Sequence, residues 1–423
     1  MRRLVALLLL AAPSLSAQLA PPPLLLVPDR VIDGSGAPAR AQVAVLVDSG
    51  RIVAVAPRAS IRLPANTRVL ELPGTTLLPG LIDLHSHVLL HPYNEVPWDD
   101  QVLREGIGER AARATVHLAR TLDAGFTTLR DLGTEGAGSA DVGLRAALEK
   151  GVIRGPRLMV AEQAIVMRGS YAPRGFAPEH SMPIAAEEAG NVPELVRAVR
   201  GQIARGADVI KVYADYRWGP DGSAQPAFTV DELRAAVEIA NSSGRPLVAH
   251  ASSAEGMRRA TLAGVQTIEH GDGGTADVFA LMQSRGVILV PTVAAGHAIA
   301  QYGGWQPGVG PEPLRVRAKR ASLQLAIAAG VRIANGSDVG VFAHGDNARE
   351  LELLVDYGLT PMQAIVAATT TAGEVLQRPA GLGAVRTGAP ADLLIVRGDP
   401  SADIRALRAV HVVVQRGLLV RTP

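Results

Sequence analysis

The sequence predicts an α/β protein: a (β/α)8 TIM barrel carrying a small β-sandwich domain formed from both chain ends. Three observations predict it. Short apolar runs alternate with helical periodicity eight times between residues 75 and 379. Strand-like sequence broken by turns flanks this stretch at 24–74 and 380–423. Neither flank has enough strands to bury a face alone, so the two are expected to pair.

Composition narrows the function. The 423 residues are 48% hydrophobic and 19% charged, with a formal net charge of +2. That apolar fraction excludes wholesale disorder. Near-balanced charge without a Lys/Arg run argues against a nucleic-acid partner. The chain has no cysteine, which excludes disulfides, thiolate zinc sites, iron–sulfur clusters and a cysteine nucleophile. Any metal must be held by histidine, carboxylate or a less usual group.

Residues 1–18, MRRLVALLLLAAPSLSAQ, read as a signal peptide, with Arg2 and Arg3 before an apolar stretch that ends in small residues. The apolar run is shorter than the roughly 20 residues a membrane helix needs. Export is therefore expected, periplasmic or secreted, with no stable membrane anchor. In the first flank, Asp48-Ser49-Gly50 separates two alternating apolar runs, a hairpin signal. In the second, strand-like runs at 391–396 and 410–414 are separated by Gly398-Asp399-Pro400.

The eight runs of the middle lie at 77–87, 127–131, 157–161, 209–213, 247–250, 267–270, 287–291 and 332–338. Most intervening helical stretches stop at a glycine, as at Gly206, Gly264 and Gly286. Thr229 followed by Glu232 matches a capping box. Eight strands, each followed by helical sequence, suit a closed barrel. A doubly wound sheet is disfavoured, because no glycine fingerprint follows the first strand.

In such a barrel, chemistry gathers where the strands end. The first run ends in His85-Ser86-His87, and residues two apart share a strand face. The fifth ends in His250, the sixth in His270 and the eighth in Asp338. Four histidines and an aspartate suit zinc or a similar divalent ion. The fourth run places Lys211 inside an otherwise apolar strand, with Tyr213 on the same face. Burying an ammonium is costly, so such a lysine shifts its pKa or changes chemically. A neutral amine can add carbon dioxide, and the resulting carbamate has two oxygens able to bridge two metals. Taken singly, each residue has a bland reading: a core histidine, a helix-capping aspartate, a lysine reaching the rim. Their joint order along the chain favours a metal centre.

The ordered set Gly80-Leu81-Ile82-Asp83-Leu84-His85-Ser86-His87, Ile210-Lys211-Val212-Tyr213, Ala249-His250-Ala251, Ile268-Glu269-His270-Gly271 and Gly336-Ser337-Asp338 resembles the amidohydrolase superfamily. Within it, the chain is similar to the imidazolonepropionase-like group that includes Xaa-Pro dipeptidases and ochratoxin-type amidases. The resemblance implies that His85, His87 and Asp338 hold one divalent ion and His250 and His270 a second. It implies that carbamylated Lys211 bridges both ions together with a hydroxide, zinc being the expected metal. The implied activity is hydrolysis of an amide bond in a small molecule, releasing a C-terminal amino acid from a dipeptide or N-acyl amino acid. Asp338 is the implied catalytic proton carrier and Tyr213 an implied contact to the substrate carboxylate. Members without the bridging lysine usually use one metal, so Lys211 argues for the two-metal hydrolases. Opening of a cyclic amide or lactone on the same site is the alternative reading. A non-catalytic binding protein is disfavoured by the complete ligand set.

Related members often carry Gly-Gly-His-Gly after the third strand. Here residues 165–171 read Ile-Val-Met-Arg-Gly-Ser-Tyr, without the histidine. Arg168, Arg174 and His180 are the candidates to replace it as a carboxylate anchor. His344, shortly after the eighth strand, is expected near the site. The loop aromatics Tyr171, Phe176, Tyr216, Trp218 and Trp305 are expected to supply part of an apolar pocket. Self-association into a homo-oligomer is also expected.

Overall fold

The computed structural model of the chain describes residues 21–422 apart from Ala172, Arg174, Pro178, Ser181 and Pro183. The expected leader and the candidate Arg174 fall outside the described residues. No helix among the described residues is long and apolar enough to cross a membrane.

The two chain ends meet in one continuous mixed sheet. Its order runs Leu418–Arg421, Val410–Gln415, Leu393–Arg397, Arg68–Pro79, Leu24–Val31, Ala44–Asp48, Arg51–Ala56, with Arg40–Ala41 paired to Leu24–Val31. The long strand Arg68–Pro79 is the joint: it pairs parallel to Leu24–Val31 and antiparallel to Leu393–Arg397. Period-two alternation gives this sheet two faces. One face buries Leu24, Leu26, Val45, Leu77, Leu393 and Ile395 in a core of its own. The other sends Leu78, Leu394 and Val413 into the core shared with the helices. The Asp48-Ser49-Gly50 turn forms as the sequence suggests, with Ser49 and Gly50 at φ 48° and 77°.

The middle is built from parallel strands. Leu81–Ser86, Phe126–Asp131 and Arg157–Val160 form one ladder. Glu187–Ala189, Ile165–Met167, Ile210–Tyr213, Leu247–Ala251, Thr267–His270 and Ile288–Val290 form another. The eighth apolar run makes isolated bridges instead of a ladder. Ile333 bridges to Leu289, and Val339 to Ser86, so the segment touches both groups of strands. At the other junction the Asp208 amide donates to the Val160 carbonyl at 2.8 Å.

Alternation decides what the strands present. Ile210, Val212, Ala249 and Ile268 pack outward against helix residues such as Leu195, Leu233 and Phe279. Lys211, Tyr213, His250 and Glu269 therefore face the opposite side. The helices begin and end where the sequence places caps. Thr229 and Glu232 complete their capping box at the start of Val230–Ser242. Val192–Arg205 starts on the Asn191 side chain and stops at Gly206, whose φ of 112° only glycine adopts without strain.

Candidate metal centre

His85 in the strand Leu81–Ser86 and His87 just past its end converge on Asp338. The Asp338 Oδ1 lies 3.3 Å from His87 Nε2 and 3.6 Å from His85 Nε2. One nitrogen or oxygen from each of the three residues falls within 4.8 Å of the others, a spacing that fits a metal ion. His270 and His250 come next around the same wall, with ring centroids 4.9 Å from His85 to His270 and 4.4 Å from His270 to His250. Tyr213 stacks on His250 at 4.4 Å.

Lys211 is 1% exposed, with its Nζ 5.7 Å from the Tyr213 ring centroid. Its Nζ has no hydrogen-bond partner among the described residues. Burial pulls its ammonium down to about 8. Burial and the Lys211 charge together hold His250 at about 3, and the buried Nδ1 of His250 is likewise unpartnered. An orphaned amine and an orphaned imidazole nitrogen beside a His-His-Asp cluster fit a centre that would bind cations and whose amine could add carbon dioxide. His87 carries the complementary signal. Burial opposes its charge, but the Asp338 carboxylate and the nearby Glu135 and Asp131 outweigh it and push it up to about 9. A proton there stands where a cation would be stabilised.

Backbone strain clusters at the same place. His270, Thr292 and Asp338 are non-glycine residues at φ 72°, 52° and 60°. Left-handed conformations in such residues are costly and concentrate at functional sites. The turns are pinned: Lys319 Nζ donates to the His270 carbonyl at 2.6 Å, and the Asp338 amide to the His85 carbonyl at 2.7 Å. Buried Asp83 ties the first run to the eighth. It accepts from the amides of His85 and Ser337 at 3.1 and 3.0 Å and from Asn347 Nδ2 at 2.7 Å.

The histidines open into a cavity of about 630 Å3. One wall is aromatic, with Tyr93, Trp98, Tyr171, Tyr213 and Tyr216. The buried Glu135 organises it, accepting from the Tyr171 hydroxyl at 2.5 Å and from Trp98 Nε1 at 3.0 Å. Arg217, Arg315 and the Lys319–Asp272 pair, 2.5 Å apart, also line the cavity.

Some candidates sit elsewhere. Arg168 is mostly exposed and spends its guanidinium on Glu194 at 2.7 Å, away from the cavity lining. The corresponding loop turns toward the helix Val192–Arg205, so this arginine does not reach the site. His344 is buried beside the site rather than in it. Its ring stacks on His117 at 4.2 Å, and its Nε2 meets the Leu90 carbonyl at 3.0 Å. The pair braces the turn that follows His87. His180 is exposed and outside the cavity. Tyr171 and Tyr216 line the cavity, whereas Phe176 and Trp218 are exposed and Trp305 packs on His297. Sequence reasoning missed Tyr93, Trp98, Glu135, Arg217 and Arg315. It also passed over Glu269, although a glutamate inside an apolar strand is the same kind of signal as Lys211.

Comparison with known proteins agrees with this geometry. The model of the amidohydrolase family matches residues 76–420. The ochratoxinase of Aspergillus niger is 30% identical over 435 aligned residues, covering 93% of this chain and 85% of that protein. A crystal structure of a Xaa-Pro dipeptidase with bound methionine in the active site is similar at a TM-score of 0.83 and 30% identity, over 94% of this chain and 100% of that one. A crystal structure of a prolidase complexed with N-methylphosphonate-L-proline is similar at a TM-score of 0.81 and 30% identity, over 95% of this chain and 100% of that one.

Proposed function

The chain belongs to the amidohydrolase family, and on that premise we propose that it is an exported, binuclear metal-dependent amidase or dipeptidase that releases a C-terminal amino acid from an N-acyl amino acid or a dipeptide. We read the parallel strands as a closed (β/α)8 barrel and the mixed sheet as the small sandwich of the two chain ends. The observation that carries the functional reading is Lys211: a buried amine with no hydrogen-bond partner among the described residues, whose charge bears on His85, His250 and His270. Addition of carbon dioxide forms an N–C bond, releases a proton and leaves an anion with two oxygens. His85, His87 and Asp338 would hold one divalent ion, His250 and His270 the other, and carbamylated Lys211 both. Zinc suits these donors best. When bound, the ions would supply Lewis acidity and an activated water.

The remaining work falls to the chain. Asp338 presents its carboxylate at the mouth of the His85–His87 pair, where it can take a proton from the attacking water and return it to the leaving nitrogen. The aromatic wall around Tyr213 suits an apolar side chain. Arg217 and Arg315 take over the carboxylate-anchoring role first sought in Arg168. The relatives support this direction: one is a Xaa-Pro dipeptidase holding methionine, another a prolidase holding a phosphonate derivative of proline.

The test is a substrate panel of N-acyl amino acids, dipeptides, their C-terminal amides, lactams and lactones, with zinc and bicarbonate present. Turnover is expected for the free carboxylates. Turnover of lactams or lactones alone would replace this reading with the cyclic-substrate one. A folded protein that retains no divalent ion after zinc supplementation would remove the metal centre from it.

A further inference from the structure

The layer beneath the histidines treats the two ion positions differently. A ligating imidazole is oriented by whatever holds its other nitrogen, and an anionic partner makes it a stronger ligand. Behind His85 stands an anion. Its Nδ1 lies 2.9 Å from the Glu269 carboxylate, which is fully buried. Glu269 is itself fixed by Arg130 at 2.9 Å and by the Thr267 hydroxyl. Arg130 also donates from Nε to the Leu84 carbonyl at 2.6 Å. One guanidinium thus grips both the peptide before His85 and the carboxylate behind its ring. His87 is oriented too, by the Gly133 carbonyl at 2.9 Å from Nδ1.

Among the described residues, the other position has no carboxylate within hydrogen-bond distance behind its rings. His270 Nδ1 meets the Thr292 hydroxyl at 2.7 Å. His250 Nε2 is 3.4 Å from the Ser252 hydroxyl and 3.7 Å from Asp215. Asp215 is already engaged by the Ser252 and Ser253 amides and the Ser253 hydroxyl. The His250 side chain is 15% exposed, against 1% for His85, so water also reaches it more easily.

We propose that the ion on His85, His87 and Asp338 is held firmly, that the ion on His250 and His270 is the exchangeable one, and that Glu269, clamped by Arg130, is the positioning residue that creates the difference. The inference rests on the two-ion reading above. Lys211 does not discriminate, because as the bridge it serves both ions. Glu269 and His270 are neighbours on one strand yet serve different ions, Glu269 reaching across to His85.

The test reads metal content rather than turnover. Stripped protein is reloaded with zinc and bicarbonate, then dialysed against a graded chelator series and analysed for zinc per chain. Two losses are expected, separated by at least tenfold. His270→Asn should remove only the weaker one, and His85→Asn the stronger. Glu269→Gln should weaken the firm ion by roughly 10–100-fold and leave the other near its original position. Because that change strands the Arg130 charge, the pair Glu269→Gln with Arg130→Met provides a second variant free of that burden. Two ions lost together in the parent protein, or a firm ion unmoved in both variants, would overturn the proposal while leaving the two-ion reading intact. A single ion per chain at saturating zinc would overturn that reading itself.

Discussion

Replacing Arg315 by methionine removes a guanidinium that has no hydrogen bond or ion pair with any described residue. The acids of the cavity are committed elsewhere: Asp272 to Lys319, Glu135 to Tyr171 and Trp98, Asp338 to the histidines. A cation without a hydrogen bond or ion pair to any described residue on this wall is available to a substrate carboxylate. A hydrogen bond to a charged group contributes about 1.5–3 kcal/mol. Arg315 is exposed, so solvent screening takes the value just below that range, to about 1.4 kcal/mol or tenfold. The expected result is a roughly tenfold loss in kcat/KM for an N-acyl amino acid, mainly through KM, with little change for its C-terminal amide. Thermal stability should change little, because the side chain has no hydrogen bond or ion pair with a described residue to lose and acts on Asp272 only through its charge. Equal losses on both substrates would refute the anchoring role, as would none on the acid.

Lys211→Ala should retain less metal and lose most turnover, with partial rescue by a short-chain carboxylic acid. Unchanged metal content and rate would exclude the bridge. Asp338→Asn should keep part of its metal and lose turnover by at least about 100-fold, the scale of general acid–base catalysis, in steady-state assays. Glu350 is fully buried and accepts the amides of Val293 and Ala294 at 2.9 and 2.6 Å, at the start of the helix Val293–Tyr302. Burial pushes its carboxyl from 4.5 up to about 8. The folded state therefore binds this proton where the unfolded chain has released it. Its contribution is full below pH 4.5 and fades as pH rises to about 8. Urea midpoints measured across that window should fall less steeply for Glu350→Gln than for the parent, and identical slopes would count against it.

What the sequence made legible is what local pattern encodes. His85 and His87 share a strand face because strands alternate, and Lys211 stands out because its neighbours are apolar. The hairpin at Ser49 and the cap at Thr229 follow from turn and helix-end chemistry. Partnerships between distant residues were not legible. Arg130 reads as an ordinary polar residue in its strand, yet it is buried against Glu269, 139 positions away. The strand Glu187–Ala189 and the short hairpin Asp215–Arg217 with Ala224–Pro226 escape notice because three-residue strands carry no periodicity. Arg168 misled because a loop's position along the chain does not give its direction. Helix Val192–Arg205 supplies Glu194, and the arginine turns to it.

The helix Leu314–Ala328 links the cavity to the turn that carries His270. Arg315, Lys319 and Ser322 recur at i, i+4 and i+7, which is one helix face. In the structure it turns inward. Arg315 lines the cavity, Lys319 holds the His270 carbonyl and Asp272, and the Ser322 hydroxyl donates to the Gly271 carbonyl at 2.6 Å. The His270 turn is strained at φ 72°, a conformation that costs on the order of 1–3 kcal/mol. Two side-chain hydrogen bonds of roughly 1 kcal/mol each, one of them charge-assisted, offset a strain of that size. The same face that bears the proposed carboxylate anchor thus holds a proposed metal ligand in an otherwise unfavourable turn. A shift of this helix along its axis would move both together, so on the proposed reading one rigid element sets both the anchoring of the substrate and the geometry of the His250–His270 position.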